Sequence, residues 1–185
     1  MTTSTELQSA IDVFRVLVTG DPDLARSVAA PAFVNREAAV APPACSVPGP
    51  GALLASGAWM RAAFDDLRFP VLDAGFDAGV AWVRLRMQGV QNRPFVRFRD
   101  GKPDKILPAT GRAMDFEQIH VLRVGPDGVT NHEAVRDDLT MLSQLGAFPP
   151  KPAVLLAMAR GKLTGSSRRA AESVARAAAE AGRLG

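Results

Sequence analysis

A chain of 185 residues is long enough to bury one sizeable core, and 47% hydrophobic with 22% charged residues is ordinary for a globular protein. The single cysteine, Cys45, excludes an intramolecular disulfide framework and a cysteine-based zinc cage. The net charge of +3 is unevenly placed. Residues 151–185 hold seven Lys/Arg and two Glu, a net of +5, which leaves −2 on residues 1–150. With no tyrosine and no aromatic-plus-basic RNA-binding motif, a nucleic-acid partner is not expected.

The start, MTTSTELQSAIDVF, lacks the basic opening and unbroken apolar run of a signal peptide, and no stretch approaches the ~20 apolar residues of a membrane span. A cytoplasmic location without a membrane role is expected. Leu7, Ile11, Phe14 and Val18 recur at helical spacing over 5–19, and Gly20 stops that helix. Asp21-Pro22 starts a second one, as N-cap and first helical residue. Residues 41–51 are too rich in Pro and Gly for a helix or a central strand and read as a loop holding Cys45. A third helix is predicted over 52–67, with Leu53, Trp59, Ala63 and Leu67 inward.

The pattern then switches to strands. Residues 69–76 form one, and the turn at 76–79 leads into 80–90, where Val83, Leu85, Met87 and Gly89 share one face. Residues 95–99 read as a short edge strand and 100–104 as a turn. Residues 113–124 and 129–137 form a hairpin around Gly125-Pro126-Asp127-Gly128, and 138–146 a short helix closed by Gly146. Helices first and strands afterwards make an α+β protein with a mostly antiparallel sheet. Two alanine-rich helices, 151–163 and 166–182, follow; packing on the body or on a neighbouring subunit is expected.

The hairpin carries the chemistry. Both histidines lie on it, His120 and His132, among Asp115, Glu117, Asp127, Glu133, Asp137 and Asp138. On 113–124 the even face (Met114, Phe116, Gln118, His120, Leu122, Val124) is the more apolar and is expected inward. Two polar groups in an oily wall are the usual make-up of a ligand pocket. On 129–137, strict alternation turns Glu133 and Asp137 inward and His132 away, unless a β-bulge reverses the strand. Glu133 and Asp137 are roughly 13 Å apart along a strand, too far for a shared-proton pair. Asp137 is either a buried acid/base or the N-cap of the helix after it. His120 is either an oxygen-stabilising group or a hydrogen-bonded core histidine. No H-x-H or H-x-x-x-H spacing supports a metal site, and none is expected.

The segment Ala109-Thr110-Gly111-Arg112, Arg123-Val124, Asp127-Gly128, Asn131-His132-Glu133, Asp137 and Gln144-Leu145-Gly146, with Phe33-Val34-Asn35 and AAFDDLRF (62–69) before it, resembles the SnoaL-like polyketide cyclases. The resemblance spans about residues 5–148. It implies a cone-shaped, curved sheet wrapped around the N-terminal helices, as in nuclear transport factor 2, with 1–148 as that domain and 149–185 as a basic helical extension. It implies a cofactor-independent enzyme of secondary metabolism that cyclises or isomerises a small hydrophobic, polyketide-like carbonyl compound, and a homodimer. It casts Asp137 as general acid/base, His120 and Gln118 as oxygen-stabilising groups, and Asn35 and Glu133 as pocket lining, with Phe116, Met114, Trp59 and Leu85 against the substrate. Three departures stand out: Glu133 replaces a tryptophan, Ala109 a proline, and the basic tail after Pro150 is extra. A non-catalytic binding or assembly protein, or a hydrolase or hydratase, is open on the same fold.

Overall fold

The structure, a computed structural model, describes residues 4–185. Helix α1 (Thr5–Thr19) is capped by Ser4 and ends at Gly20, whose φ of 69° lies in the left-handed region. Helix α2 (Pro22–Val28) is capped by Asp21 and runs into β1 (Ala29–Asn35), a strand the apolar pattern did not reveal. Helix α3 (Gly51–Arg61) follows, after two 3-10 turns. β2 (Phe64–Arg68), β3 (Val71–Asp77), β4 (Val80–Gln91), β7 (Arg112–Gly125) and β8 (Gly128–Arg136) join β1 in one six-stranded sheet. Its order is β1-β8-β7-β4-β2, with β3 beside β2 on the same edge of β4; only β1–β8 is parallel. This is the curved, mostly antiparallel α+β architecture expected. β5 (Phe95–Arg99) and β6 (Lys102–Leu107) form a separate hairpin. Helices α4 (Asp138–Gln144), α5 (Pro152–Leu163) and α6 (Ser166–Gly182) complete the chain.

Two boundaries differ from the sequence reading. The helix predicted over 52–67 ends at Arg61, and Phe64–Arg68 is a strand. Asp66 has a φ of 50° and the β2–β4 register shifts between Asp65 and Arg68, so Phe64 and Leu67 both point inward at a spacing of three. A bulged strand thereby imitates the helical period. The DGKPD turn shrinks to Asp100-Gly101, both at positive φ, with Arg99 pairing Lys102. A two-residue turn of this type matches the strand twist, and β6 continues through Pro103 at the edge of its small sheet.

The inner sheet face follows the predicted parity: Val83, Leu85 and Met87 on β4, and Met114, Phe116, Gln118, His120 and Leu122 on β7, are buried. Helices α1 and α3 cover it through Val13, Phe14, Leu17, Leu53 and Leu54. Trp59 of α3 stacks on Phe95 (centroids 5.3 Å apart) and donates its indole N–H to Val96 O (2.8 Å), tying the β5–β6 hairpin to the helix. Gln91, fully buried, binds the Leu107 and Pro108 carbonyls and accepts from Thr110, fixing the chain's return from β6 to β7.

Helix α6 lies along α3 and buries Ala171, Val174 and Ala178. Small residues allow the approach: a Cβ added at Gly51 would sit 2.2 Å from Gly182 O. Gly51→Ala should therefore force the two helices apart and destabilise the fold by roughly 1–3 kcal/mol, as overpacking does. Urea unfolding would read this, and an unchanged midpoint would show that α6 is not held as described.

Candidate functional site

The site begins with one extra residue. Val124 pairs Val129, but Arg123 pairs Asn131, so Thr130 has no partner in the β7–β8 ladder. Its hydroxyl bonds back to Arg123 O (3.2 Å). Beyond this bulge the strand's faces are exchanged. His132 is buried, Ala134 and Arg136 share its side, and Glu133 and Val135 face solvent. This corrects the strict-alternation reading, which turned His132 away and Glu133 and Asp137 inward.

With both histidines inward, a hydrogen-bonded line forms. Gln118 Oε1 lies 2.7 Å from His120 Nε2, and His120 Nδ1 lies 2.7 Å from His132 Nε2. The rings stack with centroids 5.0 Å apart, and Phe14 meets both edge-on. The partners dictate the tautomers. Gln118 Nε2 faces Met87 Sδ (3.4 Å), so its oxygen faces His120, whose Nε2 must carry the proton. His120 Nδ1 then accepts from His132 Nε2–H. His132 Nδ1 is left buried without a partner. Burial, then the His132 ring and the Arg136 guanidinium, hold the His120 pKa well below its ordinary value. Burial, with Arg136, brings His132 to about 4. Both rings are neutral near pH 7.

These groups line a cavity of about 100 Å³ between α3, the inner sheet face, the β5–β6 hairpin and α4. Trp59, Met60, Phe64, Phe95 and Phe116 give it an apolar wall; Gln118, His120, His132, Asn35 and Ser56 are inner polar groups. Asn35 donates to Ser56 (3.0 Å) and accepts from Glu37 N (3.1 Å). Charge gathers in a second layer: Arg136 bridges Glu37 (3.2 Å) and Asp138 (3.4 Å), and all three line the cavity. Glu37 also accepts from Ala134 N (2.7 Å), pinning the 3-10 turn Arg36–Val40 to β8.

Of the residues singled out in the sequence, Gln118, His120, Asn35, Phe116 and Trp59 meet in this cavity. Met114 and Leu85 are buried in the core beside it, and Glu133 pairs with Arg36 on the surface (3.3 Å). Asp137 is not among the lining residues. It caps α4, accepting from Thr140 N (3.0 Å) and Thr140 Oγ1 (2.6 Å), and these bonds lower its pKa. Its neighbour Asp138 lines the cavity instead. Glu37 gave no sequence signal, because it reaches β8 from 97 residues away, and Asp138 stood out only as one of the hairpin's acids. Among the described residues no group of three or more His, Cys, Asp or Glu is placed to hold a metal ion, and no helix is long and apolar enough to cross a membrane.

The histidines make stability pH-dependent. Their folded pKa values lie below the ~6.5 of an unfolded histidine. As pH falls from about 6.5 to about 4, the unfolded chain takes up protons that the native chain refuses, so stability falls. His132 alone accounts for a loss on the order of 3 kcal/mol over that window. Asp65, Asp115 and Asp137, whose pKa values are lowered by their hydrogen bonds, act below it. Urea unfolding against pH should show the slope, and His132→Asn should flatten it; an equally steep variant would place the titration elsewhere.

Solved structures share the fold: TsrD from Streptomyces laurentii (TM-score 0.63, 20% identity, 80% of this chain and 99% of that one), and IdmH from Streptomyces antibioticus, a candidate polyketide cyclase (0.58, 21%, 77% and 99%). AclR from Streptomyces galilaeus, a candidate hydroxylase, is a third (0.55, 17%, 88% and 93%). No curated protein gives a significant match. Residues 8–145 match the family profile described as SnoaL-like polyketide cyclase, and the chain belongs to that family.

Proposed function

We propose that this protein is a cofactor-independent acid/base enzyme that takes one end of a polyketide-like carbonyl compound into the cavity and exchanges a proton beside the carbonyl. The carrying observation is the Gln118–His120–His132 line facing the apolar wall of Trp59, Met60, Phe64, Phe95 and Phe116. His120 holds the Gln118 oxygen, so the amide NH2 is the end left for a ligand. Its present acceptor, Met87 Sδ, is a weak one that a substrate oxygen would replace. A donor aimed in advance at an oxygen that gains charge favours enolate formation. Two carboxylates line the cavity; Glu37 is already bound by Ala134 N, so the proton acceptor in this reading is Asp138, with Arg136 orienting it. Asp137 is already committed to the helix cap.

The cavity volume of about 100 Å³ is below the ~300–1,000 Å³ of a drug-sized site. It suits a single ring or the end of a chain, with the remainder of the substrate at the charged rim. Trp82, Ile119 and Val135, exposed on the outer sheet face, support the homodimer expected for such a protein.

Solvent deuterium exchange beside the carbonyl of a bicyclic aromatic ketone tests this reading. Asp138→Asn and Gln118→Leu should slow exchange by about 10²-fold or more, the usual worth of such groups. Asp137→Asn, which still caps a helix, should exchange normally. Loss of exchange in Asp137→Asn with a normal Asp138→Asn would return the role to Asp137. Ketone binding without exchange in the native protein would mark it as a binding module.

A further inference from the structure

Helix α5 buries none of its residues although most of them are apolar. Viewed at about 100° per residue, Val154, Met158 and Gly161 form its half-buried side toward the body. The opposite side presents Leu156 (73% exposed) and Leu163 (89%), with Ala159 between and Leu155 (51%) at the margin. Cations border this stripe on both sides: Lys151 and Lys162 beside Leu155, and Arg160 on the far edge. Arg168 and Arg169 follow the Thr164-Gly165 turn, where Arg169 donates to Thr164 O (3.3 Å) next to Leu163. Helix α5 has no acidic residue, and among the described residues only Arg168 of these five cations pairs with a carboxylate, at 3.7 Å.

We propose that α5 docks on an anionic lipid surface. Leucines between two rows of cations fit a bilayer interface, where acyl chains receive the apolar stripe and lipid phosphates the Lys and Arg head groups. Neither feature suffices alone, since stable peripheral binding needs an apolar and a basic contribution together. A second copy of α5 fits less well: face-to-face pairing sets like-charged borders against each other with no carboxylate to offset them.

Flotation of the full chain with phosphatidylcholine vesicles, with and without phosphatidylglycerol, tests the proposal. Binding is expected only to the anionic vesicles, weakened by salt. Substituting Leu155→Ser, Leu156→Ser and Leu163→Ser together should lower the bound fraction at least about tenfold with thermal unfolding unchanged, since these side chains are exposed. Failure to float with either vesicle would overturn it and leave the stripe to a protein partner. So would undiminished binding by the triple variant, or loss of self-association in that variant by sedimentation, which would assign the stripe to a second copy.

Discussion

Thr130 is one residue more than the β7–β8 ladder can pair, and the polar interior of this protein follows from that surplus. The bulge sits just past a tight turn: Gly128 has a φ of 106°, and a Cβ there would lie 2.6 Å from Val28 O. The turn is thus pressed against the end of α2, and β1 pairs in parallel with the bulged strand, Asn35 opposite His132. Because strand faces alternate with a period of two, one extra residue exchanges every later side chain between core and solvent. His132 and Arg136 go in, and Glu133 and Val135 go out.

Once His132 is inside, it must find a partner, since a polar group buried without one costs on the order of 1–3 kcal/mol. His120 supplies it from the facing strand, and Gln118 supplies His120 in turn. The line is a chain of neutral donors and acceptors in one sense, and its order leaves one acceptor, His132 Nδ1, unsatisfied. A charge on either ring is opposed by the apolar shell and by Arg136 close by. The same arrangement that makes the pair a fixed, neutral scaffold for Gln118 makes it poorly suited to act as an acid. Carboxylates around the cavity are held by a different device, Arg136, which keeps Glu37 and Asp138 at the edge of the apolar wall.

Family membership describes the cavity's place in the fold rather than its chemistry. Solved structures at 17–21% identity share the architecture, and they include both a candidate cyclase and a candidate hydroxylase. The particulars of this chain's site are local: a second histidine bonded to the first, a glutamate on β8 that pairs with Arg36 at the surface, and helix α6 packed onto α3. Helix α6 joins the body through small side chains and close backbone approach. Helix α5 only rests on the body, which leaves it a surface of its own.

Composition and periodicity were enough for the α+β class, the inward faces of β4 and β7, the stop of α1 at Gly20, the Asp21 cap of α2, and the placing of Gln118 with His120 in an oily wall. Each of these rests on residues close together in sequence, where the strand and helix periods act directly. The reading stopped where the period breaks. Bulges at Asp66 and Thr130 disguised β2 as helix and turned His132 outward on paper, because a single inserted residue leaves no mark in an apolar pattern. Glu37, Arg136 and Asp138 became one cluster only through the contact of the 3-10 turn after β1 with β8. Which of two adjacent aspartates reaches the cavity was settled by the first turn of α4. Its unpaired amide at Thr140 claims Asp137, and the helix's rotation gives Asp138 to the cavity wall.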